Sequence, residues 1–350
     1  MTASFEPNPA STRFKVGIVG AGAIGGFLGG VLAADPNLHI VLIGRQTLQD
    51  ELNTHGLHVR YGHHRASNCN YSVTSSLSAV ASCDLVFVTV KALALATLLP
   101  ELKSVLRPDV PIIAWQNGVG IAEVYQQVLP NPILRGIVPF NVVKQSPGCF
   151  VKASSGDLLL PQSSHPVLHA VAERLALSQL PFRWLADPQS AEYGKLVLNL
   201  NNALNAIIGL PLRQQLLDAR LRRILALAMQ EWLQICKAAQ IKPMAFAAVP
   251  AAWLPSILCL PTPVFKVVAR SMLAIEPFAR SSMWDDVHHG RATEIEFLNG
   301  AVVALGHIHH IATPVNQLIV QLIRQIERGT TETFTSDELW QRVQAARRSV

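Results

Sequence analysis

The 350-residue sequence predicts an α/β fold: an N-terminal doubly wound parallel sheet followed by an all-α domain. Three observations carry that expectation. In the first half, short apolar strands alternate with helical stretches, the pattern of a parallel sheet covered on both faces. The first strand runs directly into a glycine-rich turn, Gly20-Ala21-Gly22-Ala23-Ile24-Gly25, and a helical stretch follows. After about Leu185 the strand pattern gives way to helical periodicity. Half of the residues are hydrophobic and 15% are charged, enough apolar material for two cores.

The elements follow in order. Residues 14–19 form the first strand, residues 26–34 a helix, and residues 39–43 the second strand. Residues 57–73 are more polar and irregular and add one or two short strands. Strands at 85–90, 112–115 and 134–138 complete the sheet. Residues 150–160, with a turn signal at Gly156-Asp157, read as a hairpin that adds antiparallel strands at the sheet edge. Asp187-Pro188 starts the first helix of the second half, at 190–208. Further helices are expected at 220–239, 264–275, 293–305 and 315–328. The resulting division is a disordered tail at 1–12, a dinucleotide-binding domain at 13–186, a helical domain at 187–330, and a tail or short helix at 331–350.

Composition excludes several functions. The formal charge is +6, with no dense basic run interleaved with aromatics, so no nucleic-acid partner is expected. A soluble protein that handles anionic small molecules fits better. Cys69, Cys83, Cys149, Cys236 and Cys259 are odd in number and form no C-x-x-C, which argues against a disulfide framework or structural zinc and for the reducing cytoplasm. The first twelve residues hold Glu6 and two prolines and do not read as a signal peptide. Residues 243–265 carry no charge, yet Pro243, Pro250, Pro255, Pro261 and Pro263 would break any spanning helix; short helices and turns are expected there, and no membrane association. Asp285, Asp286, His288 and His289 match no recognised metal-ligand spacing, and His307, His309 and His310 read as surface or helix-end residues, so no metal is expected. A homodimer is admitted as an assembly, but no sequence feature selects it.

The glycine turn is a complete G-x-G-x-x-G between a strand and a helix, the context in which that motif binds a dinucleotide. Gly20 permits the tight turn, Gly22 lets backbone approach a pyrophosphate, and Gly25 lets helix pack on strand. The helix N-terminus offers unpaired N–H groups and a partial positive charge. At the end of the second strand, where Asp or Glu would hold the ribose hydroxyls, the sequence has Gly44-Arg45. An arginine there pairs with a 2′-phosphate, so the expected cofactor is NADP(H). Ligands of parallel sheets lie beyond the carboxyl ends of the strands. Two such ends carry Lys91 and Asn117, which are therefore expected near the middle of the dinucleotide. In the helical half, four asparagines fall within seven residues of one helix. Lys195, Asn199 and Asn202, at i, i+4 and i+7, share a face; they serve either as helix–helix glue or as the lining of a cleft. Glu294, before an apolar run, is either a helix-start carboxylate or a site residue.

Taken together, Gly20–Gly25, Thr89-Val90-Lys91, Gln116-Asn117-Gly118, Lys195 with Asn199, Ser281-Ser282-Met283, and Thr293-Glu294-Ile295 with Asn299-Gly300 resemble the ketopantoate reductase (2-dehydropantoate 2-reductase) family, in that family's order. The resemblance implies a Rossmann-type domain followed by a helical one, with the site in the cleft between them. It also implies NADPH-dependent reduction of 2-dehydropantoate to (R)-pantoate in pantothenate synthesis. By the same resemblance, Gly20, Ala21, Gly22, Ala23, Ile24, Gly25, Arg45, Lys91, Asn117 and Glu294 would bind cofactor. Lys195 would be the general acid, with Glu294 as the second catalytic residue. Asn117, Lys195, Asn199 and Ser282 would hold substrate, Ser282 at its carboxylate. One departure stands out: some members carry a further substrate asparagine where this sequence has Ala203, with Asn202 or Asn205 to stand in for it. Residues 241–263 resemble an insertion relative to shorter members.

An ammonium from Lys195 can both polarise a ketone and donate the proton. Burial and Lys91 would lower its pKa from the ordinary ~10.4, and Glu294 would oppose that. Two alternatives are a reductase of another 2-oxo acid, kept open by Ala203, and a non-catalytic NADP(H)-binding redox sensor, which would need no Lys195.

Overall fold

The structure is a computed structural model that describes residues 13–68, 70–330 and 334–349. The expected N-terminal tail and Cys69 lie outside the described residues. The chain forms two compact units. The first runs to Gln116 and resumes over Gly120–Ala186; the second comprises Asn117–Val119 and Asp187–Val350.

In the first unit the strands are β1 (Phe14–Val19), β2 (Leu38–Ile43), β3 (Leu57–Tyr61), β4 (His64–Asn68), β5 (Tyr71–Thr74), β6 (Leu85–Val88), β7 (Ile112–Ala114), β8 (Ile133–Arg135), β9 (Val142–Ser146), β10 (Cys149–Lys152), β11 (Leu158–Pro161) and β12 (Phe182–Leu185). The helices are α1 (Ala23–Leu32), α2 (Gln46–His55), α3 (Leu95–Val105), α4 (Ile121–Gln126) and α5 (Pro166–Leu177). Six strands pair in parallel in the order β5-β2-β1-β6-β7-β8. In chain order within this sheet that is 3-2-1-4-5-6, the Rossmann arrangement, with the direction of winding reversing between β1 and β6. The central strands β1 and β6 are apolar runs because both faces of the sheet are covered: Val16, Ile18, Leu85 and Val86 are wholly buried.

A second sheet, β4-β3-β10-β9, packs on the far side of α1. Glycines let the helix sit closely between the two. A Cβ on Gly29 would stand 2.7 Å from Leu42 of the first sheet, while those on Gly26 and Gly30 would collide with Phe150 and Val59 of the second. Residues four apart share a helix face, so one small-residue row serves each sheet.

Two strand expectations are corrected. Residues 57–74 form three strands, and the third, β5, joins the main sheet beside β2. The hairpin is β9–β10, turning at Pro147-Gly148 where Gly148 takes φ +70°, and not 150–160. Proline followed by a left-handed glycine sets a turn more firmly than Gly156-Asp157 does. β11 leaves the hairpin and pairs in parallel with β12.

The second unit is helical: α6 (Pro188–Ile208), α7 (Leu212–Leu217), α8 (Ala219–Ala238), α9 (Leu254–Leu258), α10 (Thr262–Val268), α11 (Ser282–His288), α12 (Asn299–Ile308), α13 (Pro314–Glu327) and α14 (Ser336–Arg348). Asp187 caps α6 by accepting from Ser190 N, and Asp218 caps α8 by accepting from Arg220 N and Leu221 N. The core joins Leu196, Leu200 and Leu204 of α6 to Trp232 of α8 and to Ile319 and Ile323 of α13. The helix expected at 264–275 stops at Val268, and the one at 293–305 is broken into a 3₁₀ turn, Ile295–Phe297, and α12. The uncharged segment folds as short helices that bury Leu254, Leu258 and Phe265. Among the described residues no helix is long and apolar enough to cross a membrane.

Candidate active site

In the first unit the glycine turn lies at the switch point between β1 and β6. Gly20 takes φ +92°, and a Cβ there would stand 2.6 Å from Val90 N. The backbone N–H groups of Gly20 and Ala21 donate to Ile43 O at 2.9 and 3.1 Å, tying the turn to the end of β2. Thr89 Oγ1 donates to Gly20 O at 2.8 Å and would meet a Cβ on Gly25 at 2.5 Å. Gly22 differs: it is exposed, and the nearest atom to its would-be Cβ is Gly20 O at 3.9 Å. The turn is thus clamped from behind and open at Gly22, a geometry that fits a pyrophosphate against backbone N–H groups. Ala21 is buried; Ala23 and Ile24 are half-buried at the start of α1.

Arg45 is exposed at the end of β2, where the chain enters α2. Lys91 is exposed at the start of a 3₁₀ turn, Ala92–Ala94, beyond β6. The end of β7 is held by residues that sequence reasoning did not assign to the site. Gln116 Nε2 donates to Val88 O and Val90 O, each at 3.0 Å, and its Oε1 accepts from Tyr125 OH at 3.1 Å. Buried Arg135 donates to Ala114 O at 2.6 Å and Gln116 O at 2.9 Å. Burial pushes the Tyr125 phenol far up, so it remains a donor. The Gln-Asn-Gly sequence signalled this loop, but nothing in it marked Tyr125 or Arg135 as its supports.

In the second unit, Lys195, Asn199 and Asn202 project from one face of α6, all half-buried. The helix is fixed over the turn that precedes Lys195. Trp232 Nε1 donates to Tyr193 O at 2.9 Å, and Met244 N donates to Ser190 O at 2.8 Å. The backbone of Met244 packs so closely on Gly194 that a Cβ there would collide with it. Asn199 Nδ2 is shut off from solvent and has no hydrogen-bond partner, an unpaired donor on the lysine's own face. Leaving such a group unpaired is costly unless something occupies it.

Asn205, expected to stand in as a substrate ligand, has its side-chain amide engaged within the second unit. It is fully buried; its Nδ2 donates to Leu210 O and Gln215 Oε1, and its Oδ1 accepts from Ser281 N. Its amide docks the start of α11 on the end of α6. Ser281 caps α11, accepting from Trp284 N and donating to Asn202 O. The neighbouring Ser282 is exposed. Ala203 is wholly buried.

Glu294 is half-buried and precedes the 3₁₀ turn, where its carbonyl accepts from Phe297 N at 3.0 Å. Gly118, at φ +105°, would place a Cβ 2.6 Å from Phe297 O, so Asn117 enters the second unit against this turn. Beyond the turn, buried Asn299 donates to Asn316 Oδ1 at 2.9 Å. Asn316 in turn donates its side-chain amide to Glu231, which also accepts from Val315 N and Asn316 N. Burial raises the Glu231 carboxyl above the ordinary value, while those hydrogen bonds oppose the rise. Asp285 and Asp286 pair with Arg291, and His288 stacks on Trp284.

A parallel dinucleotide sheet followed by a helical unit that presents a lysine, an unpaired amide and a carboxylate defines a two-unit nucleotide-dependent oxidoreductase. The chain belongs to the ketopantoate reductase family. The family model described as "Ketopantoate reductase PanE/ApbA" matches residues 16–165, and "Ketopantoate reductase PanE/ApbA C terminal" matches 187–327. The 2-dehydropantoate 2-reductase of Halobacterium salinarum is 26% identical over 322 residues, covering 90% of this chain and 99% of its own. That of Caulobacter vibrioides is 24% identical over 317 residues, covering 88% and 98%. A PanE/ApbA family ketopantoate reductase crystal structure from Ralstonia eutropha JMP134 superposes with a TM-score of 0.76 at 26% identity, covering 90% of this chain and 99% of that one. The fold is also that of D-mandelate dehydrogenase, solved with NADH and anilino(oxo)acetate, with a TM-score of 0.73 at 20% identity over 90% of this chain and 99% of that one.

Proposed function

We propose that the protein reduces 2-dehydropantoate to (R)-pantoate with NADPH, in pantothenate synthesis. The observation that carries this reading is Asn199 Nδ2, a buried donor without a partner, one helical turn from Lys195. When bound, NADPH supplies the hydride. The open backbone at Gly22 receives its pyrophosphate, and Arg45 pairs with its 2′-phosphate. The Lys195 ammonium hydrogen-bonds the keto oxygen, stabilises the charge that develops there, and gives up the proton that completes the alcohol. Asn199 donates to the substrate and fixes its orientation, Asn117 and Asn202 bear on it from neighbouring positions, and Ser282 takes the carboxylate. Lys91 and Glu294 complete the cofactor contacts, Glu294 on the ribose side.

The test is NADPH oxidation followed by absorbance, with 2-dehydropantoate as substrate and NADH as control. Turnover with NADPH is expected, and Lys195→Ala is expected to lower it roughly 10²–10⁴-fold while NADPH still binds. Wild-type turnover in that variant would remove Lys195 from the mechanism. A second reading, reduction of a different 2-oxo acid, is favoured by one observation. Ala203 is a buried methyl and Asn205 is engaged elsewhere, so the Lys195 face of the helix carries Asn199 and Asn202 as its amides. A panel of 2-oxo acids in the same assay decides between them.

A further inference from the structure

The helical unit also holds an open cavity of about 440 Å³, lined by Arg213, Leu217, Lys266, Arg270, Leu273 and Ala274. We propose that it binds a phosphate-bearing anion. Three cations converge on one space, and among the described residues the lining holds no acidic side chain. None of the three forms an ion pair among the described residues, whereas Arg220, Arg291 and Arg324 of the same unit each pair with a carboxylate. Three like charges around one cavity repel one another, and an anion of charge two or more removes that repulsion. The guanidinium forks of Arg213 and Arg270 match phosphate oxygens, and Lys266 adds a mobile point charge. Leu217 and Leu273 give an apolar wall for the remainder of such a ligand.

The walls are also fixed in place. Arg222 is fully buried, donates to Leu216 O near the end of α7, to Leu258 O at the end of α9 and to Leu260 O beyond it, and bonds Thr262 Oγ1 at the start of α10. Its guanidinium lies 4.3 Å over the Phe265 ring. Leu212 N donates to Ala279 O at 2.9 Å and so closes the loop that carries Arg270, Leu273 and Ala274. The end of α10 and the loop after it, which follow the proline-punctuated segment, therefore form one wall of a basic cavity. A soluble phosphate ester is one source of the anion; a lipid headgroup is the other, since Val264, Val267 and Val268 are exposed beside Lys266 on α10.

The probe is inorganic pyrophosphate, titrated calorimetrically into NADPH-saturated protein at low ionic strength so that the nucleotide turn is already occupied. One saturable site is expected, weakened about tenfold or more when Arg213, Lys266 and Arg270 are all changed to Gln. Arg45→Ala is expected to leave it unchanged, which separates this site from the nucleotide reading. All three side chains are exposed, so the triple variant should melt as the parent does. No saturable heat, or equal affinity in a folded triple variant, overturns the proposal. Sedimentation with phosphatidylserine vesicles, competed by pyrophosphate, assigns the anion to a lipid; pyrophosphate binding without vesicle binding assigns it to a soluble ester.

Discussion

Replacing Asn199 with leucine separates a ligand-binding amide from a structural one, because the two roles move stability and catalysis in opposite directions. Nδ2 is buried without a partner in the free protein. An unpaired buried donor costs about 1–3 kcal/mol, and leucine, with the same branching at Cγ but bulkier ends, removes that cost. Allowing for the apolar surface that a half-buried leucine exposes, the free protein should gain about 1 kcal/mol, or roughly 2–4 °C in melting temperature. With substrate the sign reverses. A hydrogen bond to a charged or polarised group contributes about 1.5–3 kcal/mol, so kcat/KM should fall roughly 10- to 150-fold. Since that bond forms in the bound ground state as well as in the transition state, most of the fall should appear in KM. The measurements are a thermal melt without ligand and steady-state NADPH oxidation. A lower melting temperature together with unchanged kcat/KM would show that the amide serves the fold alone and would refute the reasoning.

Three further outcomes are expected. Arg45→Ala should weaken NADPH by roughly tenfold or more and NADH little, in fluorescence titrations; equal losses would remove the 2′-phosphate role. Gly25→Ala places a Cβ 2.5 Å from Thr89 Oγ1 and 2.8 Å from Gly20 O, so stability should fall by about 1–3 kcal/mol in urea and dinucleotide affinity should fall with it; unchanged affinity would mean the turn does not hold the nucleotide. Burial raises the Glu231 carboxyl above 4.5, so its contribution to stability is complete below that value and is lost as pH rises through the higher folded value. The stability difference between wild type and Glu231→Gln, from urea midpoints, should therefore shift toward the variant from pH 4.5 upward, and the opposite slope would contradict the burial argument.

What was legible in the sequence depended on local chemistry. The parallel strands announced themselves because they are apolar on both faces, and the glycine turn because its conformations exclude other residues. The main hairpin was misplaced because the signal at Gly156-Asp157 competed with a stronger one at Pro147-Gly148, and partner choice depends on long-range pairing with β3. The helix at 264–275 ends early where Val264, Val267 and Val268 are exposed and β-branched, a weak helical run once Phe265 has been buried. The stretch 293–305 breaks at Leu298, because Asn299 is held by Asn316 seventeen residues on, which no local pattern reveals. Lys195 and Asn199 could be placed on one face from spacing alone. That Asn205 is closed off, and that Arg135 and Tyr125 brace the Gln116 loop, follows from contacts between distant segments.

The glycine rows of α1 have a consequence for how nucleotide preference can evolve. A helix wedged between two sheets tolerates almost no added side-chain volume, so the glycine turn that leads into it is a frozen part of the molecule. The tip of β2 bears no such load, and its arginine stands in water. On the proposed reading, in which Arg45 meets the 2′-phosphate and the turn holds the diphosphate, selection would exchange one dinucleotide for the other by editing a single solvent-facing position.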